Sequence, residues 1–217
     1  MATIDPRFNG PPGSGNGGYT AGIVAGLLGA QAAEVTLRAP PPLGRLLRWD
    51  GSRLWDGDTV VAEGHVTTVD AEPPPPVPFA AAEEASRRYP GFEEHAFPTC
   101  YVCGPEREDG LRIFAAPVDG LDVVAAPWVP AEVAPELVWA ALDCPGAIAV
   151  GWAGRGVFVL GRIAAEVVGL PRVGERCVVV ARPLGEDGRK LFAATALYGE
   201  DGRLLGRARE TWIVPRG

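Results

Sequence analysis

The sequence predicts an α+β fold built twice: two antiparallel sheets, each curled around one central helix. Three observations carry this expectation. A small-residue apolar stretch, NGGYTAGIVAGLLGA at 16–30, is followed by short strand-like runs. A second apolar stretch, LVWAALDCPGAIAV at 137–150, is followed by longer ones. Between them lies EPPPPVPF at 72–79, whose four consecutive prolines favour extended backbone and exclude helix or central strand. The chain thus divides into a first half at 1–70, a linker at 71–98 with room for one short helix, and a second half at 99–217.

In the first half, Asn16 is suited to cap a helix start. Gly18, Gly22 and Gly26 then recur every fourth residue. Glycine costs about 1 kcal/mol relative to alanine inside a helix, so such a stripe implies that another backbone passes close by. The wrapping sheet is the expected neighbour. AEVTLRA, LGRLLRW, SRLW and DTVVAEGHVTTV follow as strands, with WDG and DGD as turns. In the second half, LRIFAAPV and DVVAAPWV read as a hairpin around Asp119-Gly120. A helix starts near Ala134 with Pro135 in its first turn. VFVLGRIAAEVVG, ERCVVVARPL, KLFAATALYG and LLGRARETWIV complete an antiparallel meander. Along the third of these, Leu191, Ala193, Thr195 and Leu197 share one face, opposite Phe192, Ala194, Ala196 and Tyr198.

Asp143 is the anomaly of the second helix. A carboxylate among apolar neighbours pays a desolvation cost of several kcal/mol unless it is partnered or takes a proton. Pro145, two residues later, removes a backbone donor and disfavours helical geometry at Cys144, so a kink or break near Asp143 is expected. Two readings stay open. Asp143 caps a new helical segment after the break, or it is a reactive carboxylate opening into a cleft. The glycine-rich turn at 13–18 formally matches G-x-G-x-x-G, but no strand precedes it and the strands after it read as antiparallel, which excludes a dinucleotide fold. What survives is a helix start whose unpaired N–H groups, at Asn16, Gly17, Gly18 and Tyr19, could hold a developing oxyanion.

The helix-then-meander order, with GNGGYTAG, VWAALDCPG and GRKLFAATALYGEDGRLLGRARETWI, resembles the tandem hotdog proteins of the acyl-CoA thioesterase superfamily. The resemblance implies a double hotdog that hydrolyses a small-molecule acyl thioester of the CoA type, without a cofactor. It implies one site per chain, with Asp143 as general base or as the residue that positions the nucleophile. Polar partners in that family, typically glutamine and threonine, come from neighbouring strands. Here Glu210 or Thr211 would serve, depending on which face of the last strand points inward. VFVLGRI lacks the strand threonine the family pattern suggests, so a non-catalytic acyl-ligand binding module of the same fold stays open. A hotdog dehydratase or hydratase would want a histidine on a central helix, and neither His65 nor His95 is on one. A homo-oligomer is compatible with the resemblance.

Composition narrows the rest. At 217 residues, 47% hydrophobic and 22% charged, the chain is ordinary for a globular protein. A net charge of −7 argues against nucleic-acid binding, which needs a basic face. MATIDPRFNG has no secretory character, and the apolar run at 19–33 is too short to span a bilayer, so a cytoplasmic location with no membrane contact is expected. Cys100 and Cys103 form a CxxC, but Cys144 and Cys177 are distant in sequence and unpaired in spacing. No metal is therefore expected, and chelation should leave melting unchanged. His95 is expected at the surface. No serine elbow accompanies either histidine, so a serine–histidine triad has no support.

Overall fold

The computed structural model describes residues 1–152 and 156–215. The first half runs β1 (Ala2–Thr3), α1 (Gly17–Leu28), β2 (Ala32–Leu37), β3 (Leu46–Trp49), β4 (Arg53–Asp56) and β5 (Thr59–Val66). A connecting helix, α2 (Phe79–Ser86), follows the proline run. The second half runs β6 (Ala116–Pro117), β7 (Val124–Trp128), α3 (Pro135–Ala149), β8 (Val159–Val167), β9 (Cys177–Asp187), β10 (Lys190–Tyr198) and β11 (Leu204–Ile213).

The expected two sheets are instead one. Among the described residues, eleven strands form an open sheet in the order β1-β3-β4-β5-β2-β8-β11-β10-β9-β7-β6. The joint is β2 against β8, antiparallel, with Ala32 opposite Glu166 and Thr36 opposite Arg162. Each of these strands follows its half's helix and would otherwise be an exposed edge. Pairing them satisfies both rows of backbone groups. Arg162 ties the seam by donating to the Thr36 hydroxyl at 3.0 Å and pairing with Glu34 at 3.2 Å.

That joint also decides what the glycine stripe meets. α1 lies against α3, not with its stripe on the sheet as expected. A Cβ on Gly18 would sit 2.5 Å from the Trp139 carbonyl oxygen and 2.6 Å from the Asp143 Cβ, and one on Gly22 would sit 2.7 Å from the Glu136 Cα. At Gly26 the helices have diverged, and the nearest atom would be Glu136 Oε1 at 3.6 Å. The sheet covers another face of α1, where Val24 packs on Gly64.

Of the kink or break expected near Asp143, the break does not occur: α3 runs continuously through Pro145. The Ala141 carbonyl loses its helical partner there, yet Leu137 to Ala147 are all buried. Packing on every side holds the helix where its local sequence would end it. The apolar alternation of β10 has a use on each face. Leu191, Ala193 and Leu197 belong to the core around α3, whereas Ala196 and Tyr198 pack under α2 with Val77, Ala82 and Ala85. The extended proline segment is strapped on by the Tyr198 hydroxyl, which donates to the Pro74 carbonyl at 2.6 Å. The expected hairpin around Asp119-Gly120 forms, with Ala116 opposite Ala125 and Pro117 opposite Val124, but its first strand is short: within 111–118 only Ala116–Pro117 is strand and the residues before it run irregularly. No helix among the described residues is long and apolar enough to cross a membrane.

Candidate active site

The close approach of α1 and α3 brings residues 16–18 against residue 143. Asn16 caps α1, its Oδ1 accepting the Tyr19 N–H at 2.8 Å. Its Nδ2 donates to Asp143 Oδ2 at 2.9 Å, and the Gly18 N–H donates to the same oxygen at 2.9 Å. Asp143 therefore does cap a helix, but it is α1 of the other half rather than a segment of its own. A side chain at residue 18 would prevent this contact, so the glycine is required by the Asp143 bond itself.

The second carboxylate oxygen is different. Asp143 is 2% exposed, and its Oδ1 is buried without a hydrogen-bond partner. Burial pushes the carboxyl up to about 7, against the pull of the Gly18 and Asn16 donors. Asp143 sits in the wall of a cavity of about 510 Å³ between the two halves. Leu37 and Pro40 of the first half and Ile148, Phe158 and Leu160 of the second supply apolar lining. Gly17, the first residue of α1, also lines it. Its N–H has no partner among the described residues, whereas the next two N–H groups are taken by Asp143 and Asn16.

The other residues singled out in the sequence divide clearly. Glu210 points inward and is fully buried, accepting from the Thr195 hydroxyl at 3.1 Å and the Trp212 indole N–H at 2.7 Å. It lies behind α3, against Gly146, and outside the cavity lining. Burial, reinforced by the nearby Asp143 charge, pushes its carboxyl well above the usual range. Thr211 is on the opposite face of β11 and does not line the cavity, so the strand's alternation removes it from the site. Tyr19 turns its ring onto Phe8, with centroids 3.9 Å apart, and contributes only the backbone N–H that Asn16 accepts.

The raised carboxyl of Glu210 leads to a pH-dependent expectation. In the unfolded chain this group ionises near its ordinary 4.5. In the folded chain burial raises the carboxyl well above that, so its contribution to stability is full below the unfolded value and is lost as pH rises towards the raised folded value. Glu210→Gln, isosteric with the neutral acid, should melt like the parent at pH 5 and above it at pH 8. Melting curves at both pH values check this; a variant weaker at both would mean that Glu210 is folded as an ion.

Three residues escaped the reading from sequence. Thr195 lies on the inward face of β10 and is 0% exposed. It was already visible as the polar member of the Leu191, Ala193, Thr195, Leu197 face. His95 is not a surface residue: it lines the cavity, its Nδ1 accepts the Phe97 N–H at 2.9 Å, and its Nε2 is buried without a partner. Cys144, which seemed remote from the CxxC, has its Sγ 4.0 Å from that of Cys100. The Sγ atoms of Cys100, Cys103 and Cys144 all lie within 4.8 Å of one another at the cavity wall. No signal in the spacing of 100, 103 and 144 could have shown this.

No protein-family model and no curated protein matches the sequence. Solved structures do match the fold over nearly the whole chain. The tesB protein of Mycobacterium avium subsp. paratuberculosis aligns with a TM-score of 0.59 at 13% identity, covering 93% of this chain and 87% of its own. A candidate thioesterase from Novosphingobium aromaticivorans aligns at 0.63 and 14%, covering 99% and 94%. A conserved hot dog fold protein of unknown function from Alicyclobacillus acidocaldarius aligns at 0.61 and 12%, covering 100% and 92%. With two helix-and-meander halves joined through β2 and β8, and with these structures overlaid along its length, the chain is a hotdog-fold protein.

Proposed function

We propose that the protein hydrolyses an acyl thioester of the CoA type, with the acyl group in the cavity and Asp143 as general base. The observation that carries this reading is Asp143 in the wall of an apolar cavity, with its Oδ1 buried and unpartnered and its carboxyl raised to about 7. A base is most effective when its pKa lies near the working pH. The Novosphingobium structure of the same fold carries the name thioesterase, which agrees with thioester hydrolysis.

In this mechanism a water hydrogen-bonded to Asp143 Oδ1 attacks the thioester carbonyl carbon, and its proton passes to Asp143. Charge builds on the carbonyl oxygen, which faces the free Gly17 N–H at the positive end of α1. The Gly18 and Asn16 donors hold Oδ2 throughout, so that Oδ1 stays aimed at the water. The tetrahedral intermediate then collapses, the C–S bond breaks, and the thiolate takes the proton back from Asp143. The acid and the thiol leave, and the enzyme is restored.

The test is a turnover screen over short, medium, long and aromatic acyl-CoAs, following release of free thiol. Hydrolysis of at least one class is expected. Binding of an acyl-CoA without any thiol release would make the protein an acyl-ligand binding module instead.

A further inference from the structure

The segment between α2 and β6 is unusual for its burial. From residue 93 to 115 it contains no helix or strand, yet Cys100, Tyr101, Val102 and Cys103 are all at most 8% exposed. Irregular chain normally runs over the surface, because its backbone groups are hard to satisfy inside. Part of this segment is tied down by residues 7–9. Arg107 donates to the Arg7 carbonyl at 2.8 Å, and the Tyr101 N–H donates to the Asn9 carbonyl at 2.8 Å. Among the described residues, the Cys100–Cys144 sulfur contact is what joins its inner end to α3 by a polar atom. There it presents two thiols to a third.

The geometry of these thiols is that of a ligand set. The turn at 100–104 closes with the Gly104 N–H donating to the Cys100 carbonyl at 2.9 Å. A Cβ on Gly104 would fall 2.5 Å from the Cys100 nitrogen, so only glycine closes this turn. Cys100 and Cys103 are thereby brought to one side, and α3 adds Cys144. Tetrahedral zinc with sulfur ligands at about 2.3 Å needs sulfurs about 3.8 Å apart. The Cys100 and Cys144 sulfurs are 4.0 Å apart, with Cys103 in the same group.

We propose that Cys100, Cys103 and Cys144 bind one thiophilic divalent cation of the zinc class, which fastens the 93–115 segment to α3. All three thiols ionise on binding, and their protons pass to solvent. Three thiolates and one divalent ion leave a site of net charge −1. The fourth position faces the cavity that all three cysteines line, and water fills it. His95 does not, because its Nδ1 already accepts from Phe97, which leaves the proton of the neutral ring on Nε2. A disulfide would use two of the sulfurs and strand the third. The proposal is independent of hydrolysis at Asp143.

The experiment uses the full chain, purified under reducing conditions and stripped with a chelator. Titration with Co²⁺ should produce thiolate-to-cobalt charge-transfer absorption that saturates at one ion per chain and is abolished by one equivalent of Zn²⁺. Zinc should also raise the melting temperature and release protons. Cys103→Ser and Cys144→Ser should each weaken cobalt binding by at least about 100-fold, since even changes beyond the ligands cost 10–100-fold. Cys177→Ala should leave the spectrum unchanged. Absence of the absorption in the unmutated chain overturns the proposal whatever the variants do. So does a full-strength band in Cys144→Ser, or a Cys100 disulfide found by mass spectrometry in metal-free protein from cells.

Discussion

Replacing Asp143 with asparagine is expected to cut acyl-thioester turnover by about 10²-fold or more, the scale of general-base catalysis. Asparagine keeps an oxygen for the Gly18 and Asn16 donors but offers no proton acceptor at the position of Oδ1. Stability should hold or rise, because the cost of burying a carboxylate disappears. Asp143→Ala makes the complementary measurement. It leaves the Gly18 N–H and the Asn16 amide without their acceptor, so it should cost about 1–3 kcal/mol as well as activity. A fully active Asp143→Asn alongside a destabilised Asp143→Ala would make Asp143 a pin between the two helices and nothing more.

A second large effect on stability is expected from one methyl group. Gly18→Ala places a Cβ 2.5 Å from the Trp139 carbonyl oxygen and 2.6 Å from the Asp143 Cβ, both on a helix buried on every side. Alanine gains about 1 kcal/mol of helix propensity over glycine. Overpacking of this kind typically costs 1–3 kcal/mol, and here the obstruction is partly backbone, which cannot rotate away. The clash should win, with a net loss of about 1–2 kcal/mol and a further loss of activity as Asp143 is displaced. Gly26→Ala is the internal control. The same substitution two turns along meets only Glu136 Oε1 at 3.6 Å, so propensity alone acts and the protein should become more stable, by up to about 1 kcal/mol. Denaturant midpoints for the two variants should move in opposite directions. Movement in the same direction would mean that α1 and α3 are not in contact as described.

These two experiments fall on residues that stood out in the sequence, for reasons the sequence only half contained. The recurrence of Gly18, Gly22 and Gly26 announced a close backbone neighbour, because nothing else offsets three glycines in a helix. It did not say which neighbour, since a sheet and a second helix demand the same absence of Cβ. Asp143 was conspicuous because its neighbours are apolar, and Asn16 because it stands before an apolar run. Their bond spans 127 residues and has no trace in either local pattern. Glu210 and Thr211 are adjacent, so strand periodicity alone left the choice between them to the register.

What the sequence by itself determined is what short-range physics determines: the two central helices, the meander strands, the extended proline run, the cap at Asn16 and the division of β10 into two faces. The tertiary structure decided the rest. Pairing of the β2 and β8 edges made one sheet of the two halves, set α1 beside α3, carried α3 unbroken through Pro145, and put an unpaired carboxylate oxygen and three thiols at one cavity. Those arrangements follow from burying edges and apolar faces between segments far apart in the chain, 44 residues for Cys100 and Cys144 and 127 for Asn16 and Asp143. A preference of that kind is a property of surfaces, and no window of residues displays a surface.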